Sequence, residues 1–353
     1  MRKIDLKVPT GWNQCTKEQL EAVAGIILRR TAMQDRYHPY DPVHMKAEAF
    51  LALAGLEVVG HTDSTDGTDF NGHTEITEST ESSSGEEGFM VRFVDKRSPW
   101  LRPLPRLAGT LKGRKKEPPF ELKVWQVHSF VNQHLGWLDD FNGLLLFPFP
   151  TYGWPIITVK WLFDYFPMPW IHRVAGPAEL MQDFSWQEYR MVQLWLDLYV
   201  QTNTYVASLN GRPADPETIA LLKKCRERFL TALFRSQSYL SVLSESLFDK
   251  PWALRRFRRM PDHRFQLCLI YWQSMMHYYA EKLPKCFRQG SGHRRRGETP
   301  LDIYRRSTTT LQKYLQKTEA EINAQPFYVI LQHLDDMARE AEELEKIQRQ
   351  HKK

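Results

Sequence analysis

The sequence predicts a mainly α-helical protein, with a multi-helix body, a small N-terminal β element and a C-terminal helical hairpin. Helix-capping motifs precede apolar runs at helical spacing, and residues 265–279 are apolar on nearly every side, as in a buried central helix. Two runs near the C-terminus carry heptad spacing. The 353 residues are 42% hydrophobic and 25% charged, which is ordinary for a globular chain.

The N-terminal region combines short strands with helices. Residues 4–8 and 89–93 alternate apolar and polar side chains, which predicts two strands that pair with each other. Thr16 and Gln19 form a capping box that opens a helix. A second helix begins at Pro42, because proline is favoured at the first helical position.

Two segments of opposite charge follow within this region. Residues 61–88 hold eight acidic and no basic residues and almost no large apolar ones, so we expect a disordered acidic insert. Residues 97–119 hold seven basic residues and five prolines, which indicates an irregular basic linker. The sequence therefore predicts an N-terminal α+β region at 1–119.

Residues 120–298 predict the helical body. Helices are expected from residue 121, from the capping box of Ser185 and Glu188, and from Asp215. Residues 141–171 hold ten aromatic residues and five prolines, which predicts an extended connector buried as core, with a partner-binding groove as the alternative.

The C-terminal region at 299–353 predicts an antiparallel helical hairpin that breaks at residues 324–326. Each helix spans fewer than three heptads, so packing on each other or on the body is expected. The second helix is our candidate partner-binding surface, by capture of a partner helix. Its predicted contact residues are Phe327, Ile330, Leu334 and Met337.

Motifs of familiar chemistry are missing from the sequence. No close-spaced His or Cys ligands and no nucleophile elbow occur, and the four cysteines form no CxxC pair. The adjacent carboxylates Asp139–Asp140 and Asp335–Asp336 point in different directions and are expected to be surface charges. We therefore predict no catalytic residue, no metal and no cofactor, with an enzyme site assembled only by the fold as an alternative.

An arginine-rich patch gives a second alternative, nucleic-acid binding. Its residues are interleaved with Trp252 and Phe257, and guanidinium groups bind phosphates while aromatic rings stack on bases. The competing interpretation is a solvated helix face with both rings turned inward. The patch consists of Arg255, Arg256, Arg258 and Arg259.

The segment Val8-Pro-Thr-Gly-Trp-Asn-Gln-Cys-Thr-Lys-Glu-Gln-Leu20 resembles a motif of bacteriophage and prophage morphogenesis proteins, among them tail-assembly chaperone-like factors. In that motif a strand leads into Pro-x-x-Trp-x-x-Leu-Thr-x-x-Gln and a helix, and Cys15 stands here in place of the leucine. The resemblance implies an assembly or interaction protein and no particular functional residue.

The leading hypothesis is thus a non-enzymatic assembly or interaction protein of a prophage-like element that binds a protein partner. The first residues have no signal-peptide core, and the longest uncharged run, 141–159, contains three prolines. We therefore expect a cytoplasmic protein with reduced thiols and no membrane partner.

Overall fold

The chain divides into two compact units, Met1–Gly143 and Leu144–Lys353. The structure is a computed structural model. The predicted strand at 4–8 (except Val8), the acidic insert from 62 to 87 and the basic linker up to 118 lie outside the described residues. The described residues are 8–32, 42–61, 88–93, 119–149, 151–153, 156–162, 166–209, 212–238, 244–247, 250–287 and 300–351.

The described part of the first unit contains three α-helices and a three-stranded antiparallel sheet whose strands lie in chain order. The capping box of Thr16 and Gln19 is confirmed, with the Gln19 side chain accepting from the Thr16 N–H at 2.8 Å. The helices and strands are α1 (Lys17–Ala32), α2 (Pro42–Ala54), β1 (Leu56–His61), β2 (Gly88–Phe93), β3 (Phe120–Lys123) and α3 (Val124–His134).

The sheet of this unit contains two strands that were not predicted. Strand β2 forms where expected and pairs with β1 and β3; the partner strand predicted at 4–8 lies, except for Val8, outside the described residues. Residues 121–123, expected to be helical, belong to β3. Because β3 pairs with β2, residues 120–143 fall in the first unit rather than in the helical body.

Trp12, from the segment that resembles phage proteins, is a core residue of the first unit. Its side chain is buried, and its indole N–H donates to the Asp140 carbonyl at 2.8 Å. Its ring meets Trp137 edge-to-face at a centroid distance of 5.0 Å. This tryptophan therefore ties the start of the described chain to the turn after α3.

The second unit is mainly helical, as the sequence predicts. The capping box of Ser185 and Glu188 and the Asp215 cap are both present. The helices are α4 (Trp186–Ser208), α5 (Pro216–Leu233), α6 (Pro251–Phe257), α7 (Asp262–Lys282), α8 (Pro284–Phe287), α9 (Pro300–Leu315), α10 (Glu319–Ala324) and α11 (Phe327–His351).

A four-stranded antiparallel sheet in this unit was not predicted. The strands β4 (Ile156–Leu162) and β5 (Phe166–Ala175) form a hairpin within the segment expected to be an irregular connector. Strand β5 then pairs with β6 (Arg235–Ser238), and β6 with β7 (Ser244–Ser246). The prolines at 167 and 169 interrupt the period-2 pattern, which hid the hairpin from sequence reasoning.

The core of the second unit is built from aromatic side chains around α7. Tyr271 and Trp272 are buried, as the apolar character of this helix predicts. Phe147 packs edge-to-face on Phe234 at 5.1 Å and on Tyr271 at 4.8 Å. Phe149 and Tyr152 are buried as well, so these aromatic residues of the connector are core, as favoured over a partner groove.

The C-terminal helices pack chiefly on the body: α9, α10 and α11 contact α4, and α11 packs most extensively on α8. The first predicted helix divides at Gln316, whose φ is 52°, and α10 begins after the Thr318 capping box. Thr308 of α9 accepts from Arg190 of α4 at 2.8 Å. Tyr314 of α9 donates to Glu340 of α11 at 3.0 Å.

Asp335 is buried, which contradicts the expectation that the pair Asp335–Asp336 is surface charge. Its side chain is 1% exposed, and its Oδ1 accepts from the backbone N–H groups of Lys285 and Cys286 at 2.7 and 2.9 Å. Its Oδ2 lies 2.7 Å from Arg339. Asp335 thus caps the first turn of α8 from another helix, while Asp336 is exposed.

We expect Asp335→Ala to lower the free energy of unfolding by about 2–4 kcal/mol, because two buried N–H groups lose a charged acceptor. Asp336→Ala is the matched control and changes it by less than about 0.5 kcal/mol. Urea unfolding followed by circular dichroism measures both. Equal effects of the two variants would contradict the assignment of Asp335 as the cap.

A second prediction concerns the end of α9. Gln316 adopts a left-handed conformation that costs a non-glycine residue about 1 kcal/mol. We expect Gln316→Gly to raise the melting temperature, because glycine adopts this conformation without a Cβ clash. Gln316→Ala is the control and gives no gain. A lower melting temperature for the glycine variant would show that the turn depends on the glutamine.

Candidate functional site

The helices α4 and α5 form a hairpin whose far end extends beyond the packed core of the second unit. We define the hairpin tip as residues 200–208 of α4 and 216–224 of α5. All of its residues are exposed or half-exposed, and buried positions begin only at Cys225 on α5. The tip is therefore available to a partner without unfolding.

The hairpin tip exposes large apolar side chains. Val200 and Tyr205 on α4 are 51% and 52% exposed, and Ile219 and Leu221 on α5 are also exposed. Tyrosine is enriched in protein–protein interfaces and is common among the residues that dominate their binding energy. This is the type of surface that a protein partner covers.

Charge is missing from the α4 side of the tip. No Lys, Arg, Asp or Glu occurs from residue 198 to 211. The Thr202 and Ser208 hydroxyls donate to carbonyls of their own helix, at 2.7 and 2.6 Å, so burying them leaves these donors satisfied. Sequence reasoning missed this site, although the uncharged run in an otherwise polar helix was the available signal.

The predicted partner-binding residues on α11 fall into two groups. Phe327 and Ile330 are fully buried, so the structure assigns them to the core rather than to a partner surface. Leu334 and Met337 are half-buried. The heptad spacing identifies the apolar face of α11, but the body covers the first turns of that face.

The predicted arginine patch is reduced by packing. Arg258 pairs with Glu227 at 2.9 Å, and Arg256 is half-buried with its pKa lowered by burial. Arg256 packs against the backbone of Gly153, whose φ is 73°. A Cβ at Gly153 would lie 2.1 Å from the Arg256 guanidinium, so the close approach depends on glycine at this position. Three of the four, Arg255, Arg258 and Arg259, remain exposed, and the Arg258 side chain is 70% exposed in spite of its ion pair.

The two aromatic residues of the patch are not both available to stack on bases. Phe257 is fully buried and stacks on Tyr152 at a centroid distance of 5.7 Å, whereas Trp252 is half-buried. Phe257 therefore follows the competing interpretation of an inward-facing ring. Three exposed arginines, one of them paired with Glu227, provide a smaller phosphate-binding surface than the sequence predicted.

The described part of the structure contains free thiols and no cluster of metal ligands. Among the described residues, no three His, Cys, Asp or Glu side chains lie close enough to hold a metal ion. The four cysteines are free. Burial raises the pKa of Cys15 to about 12, and burial, then the Asp335 charge, raise the pKa of Cys286 to about 12. Burial also raises the pKa of Cys225 and Cys268.

Comparison with known proteins gives no match: no family model fits this chain, and neither a curated protein nor a solved structure is significantly similar to it. Within the part of the chain that the structure describes, no helix has both the length and the apolar character needed to cross a membrane.

We expect the folded protein to react slowly with a disulfide reagent at pH 8. A thiol pKa of about 12 lowers the thiolate fraction more than about a hundredfold relative to an ordinary cysteine, and the thiolate is the reacting species. In denaturant all four thiols should react quickly, which is the control. One equivalent reacting fast in the folded state would instead reveal an activated cysteine.

Proposed function

We propose that this chain is a non-enzymatic interaction protein that binds a protein partner through the hairpin tip. The observation that carries the proposal is an exposed apolar surface with no charged residue from 198 to 211. The resemblance of residues 8–20 to phage morphogenesis proteins supports an assembly role in a prophage-like element. The partner would be a structural or assembly protein.

The energetics of the tip support such binding. Full burial of a Val, Leu or Ile side chain contributes about 1.5–3 kcal/mol. Because Val200, Ile219 and Leu221 are about half exposed, a partner that covers them gains on the order of 1 kcal/mol at each. Tyr205 adds a ring with a polar tip, which is typical of residues that dominate interface energies.

The α4 side of the tip does not suit nucleic acid. Binding to a phosphate backbone requires cationic side chains, and the α4 side of the tip has none. The exposed arginines Arg255, Arg258 and Arg259 lie on and after α6, outside the tip. Nucleic-acid binding is therefore the outcome that the test must separate from protein binding.

The test is affinity capture from the native host with nuclease present, read by mass spectrometry. We expect the wild type to recover a protein partner and the double variant Tyr205→Asp/Leu221→Asp to lose at least about tenfold of it, because the carboxylates must be desolvated in an apolar interface. The matched control Thr309→Asp/Thr310→Asp adds the same charge to the exposed face of α9 and retains the partner.

Circular dichroism of both variants verifies that they are folded, as exposed substitutions should be. Equal recovery by the tip variant would contradict the assignment of the tip. Partners that disappear on nuclease treatment would instead support nucleic-acid binding, and Arg255→Ala/Arg259→Ala would then be the next variant.

A further inference from the structure

The C-terminal half of α11 carries an apolar face into solvent. The heptad spacing that begins with the buried Phe327 and Ile330 continues to Leu344. Leu344 is 60% and Ile347 is 49% exposed, and every residue from 343 to 351 is exposed. We define the terminal stripe as Leu334, Met337, Ala341, Leu344 and Ile347.

The terminal stripe lies on a helix that is held in place. The Lys285 ammonium pairs with Glu342, and Tyr314 donates to Glu340 at 3.0 Å, so α8 and α9 fix α11 as far as residue 342. Beyond it the helix continues for nine residues, about 13 Å. Arg349 lies 3.3 Å from Glu345 one turn earlier, a pair that supports the helix.

Acidic side chains flank the stripe. Residues 334–346 hold six acidic and two basic residues; Asp335 is buried and Glu342 pairs with Lys285, and the other four acidic residues are exposed. Glu340 lies one turn before Leu344, and Glu345 follows it directly, so both border the most exposed apolar residue. Both are exposed.

We propose that the terminal stripe binds a basic amphipathic helix of a protein partner. Apolar residues at 3-4 spacing on one helix are complementary to the same spacing on a second helix, so the occupant is helical. The acidic borders select Lys or Arg at the positions beside its apolar seam. The terminal stripe shares no residue with the hairpin tip, and it is bordered by acidic side chains, whereas the α4 side of the tip has no charged residue.

A second copy of the chain is disfavoured as the occupant by the same charges. In a parallel pair Glu340 of one helix would face Glu345 of the other, and in an antiparallel pair each would face its own equivalent. Like charges across a helix–helix seam are destabilising. Charge complementarity therefore points to a different, basic helix.

The test measures binding of two synthetic peptides to the full-length protein by isothermal titration calorimetry. Each peptide has three heptads with Leu at the two seam positions, and the flanking positions are Lys in the probe and Glu in the control. We expect the Lys peptide to bind at least tenfold more tightly than the Glu peptide, and its affinity to fall with added salt.

Variants assign the binding to the stripe. We expect Leu344→Gln/Ile347→Gln to weaken the Lys peptide at least tenfold, because the apolar seam is lost without a change in charge. Trp125→Gln/Leu146→Gln is the matched control, because it replaces two similarly exposed apolar side chains outside both proposed surfaces and leaves the peptide affinity unchanged. Glu340→Lys/Glu345→Lys should reverse the preference between the two peptides.

Each contrary result would overturn the proposal. Equal affinity for both peptides, or unchanged binding by Leu344→Gln/Ile347→Gln, would exclude the basic helix as the occupant. A dimer in sedimentation equilibrium that this variant abolishes would assign the stripe to a second copy. Because the peptide assay does not use the hairpin tip, its failure leaves the proposed function standing, and the reverse also holds.

Discussion

The second unit depends on the place where α11 joins the body. The Phe327 N–H donates to the Phe184 carbonyl at 2.9 Å, and the Trp186 N–H to the Gln325 carbonyl at 2.7 Å. Tyr189 stacks on Phe327 at 5.3 Å, and it also stacks on Trp186 and on Trp272 of α7. Backbone pairing fixes the direction of α11, and ring packing buries its first turn, so α4, α7 and α11 share one aromatic cluster.

This junction explains why α11 is core at one end and surface at the other. A straight helix that starts inside the cluster advances 1.5 Å per residue along its own axis, so its far end lies beyond the cluster. Asp335 and Glu342 meet α8 along the way, and past them nothing in the described part of the chain covers Leu344. The helix α4 behaves in the same way: Tyr189 lies in the cluster, whereas Tyr205 lies on the hairpin tip.

The helices could be predicted because their signals are local in the sequence. Strand pairing and burial depend on residues far apart in the sequence, and they could not be predicted. The caps at Thr16, Ser185 and Asp215 work within four residues, so the sequence alone identifies them. Strand β6 pairs with β5 more than sixty residues earlier, a partner that no local pattern reveals. Burial is equally non-local: Asp335 and Asp336 are chemically identical, and only the position of α8 makes one a buried cap.

The two exposed surfaces of the second unit differ in the physics of what they can bind. The α4 side of the hairpin tip offers apolar area without charge, so the affinity it provides depends mainly on burial and changes little with ionic strength. The terminal stripe combines apolar residues with Glu340 and Glu345, and its attraction to cations is screened within about 10 Å at 0.1 M salt. Salt dependence therefore separates the two surfaces even when the same partner touches both.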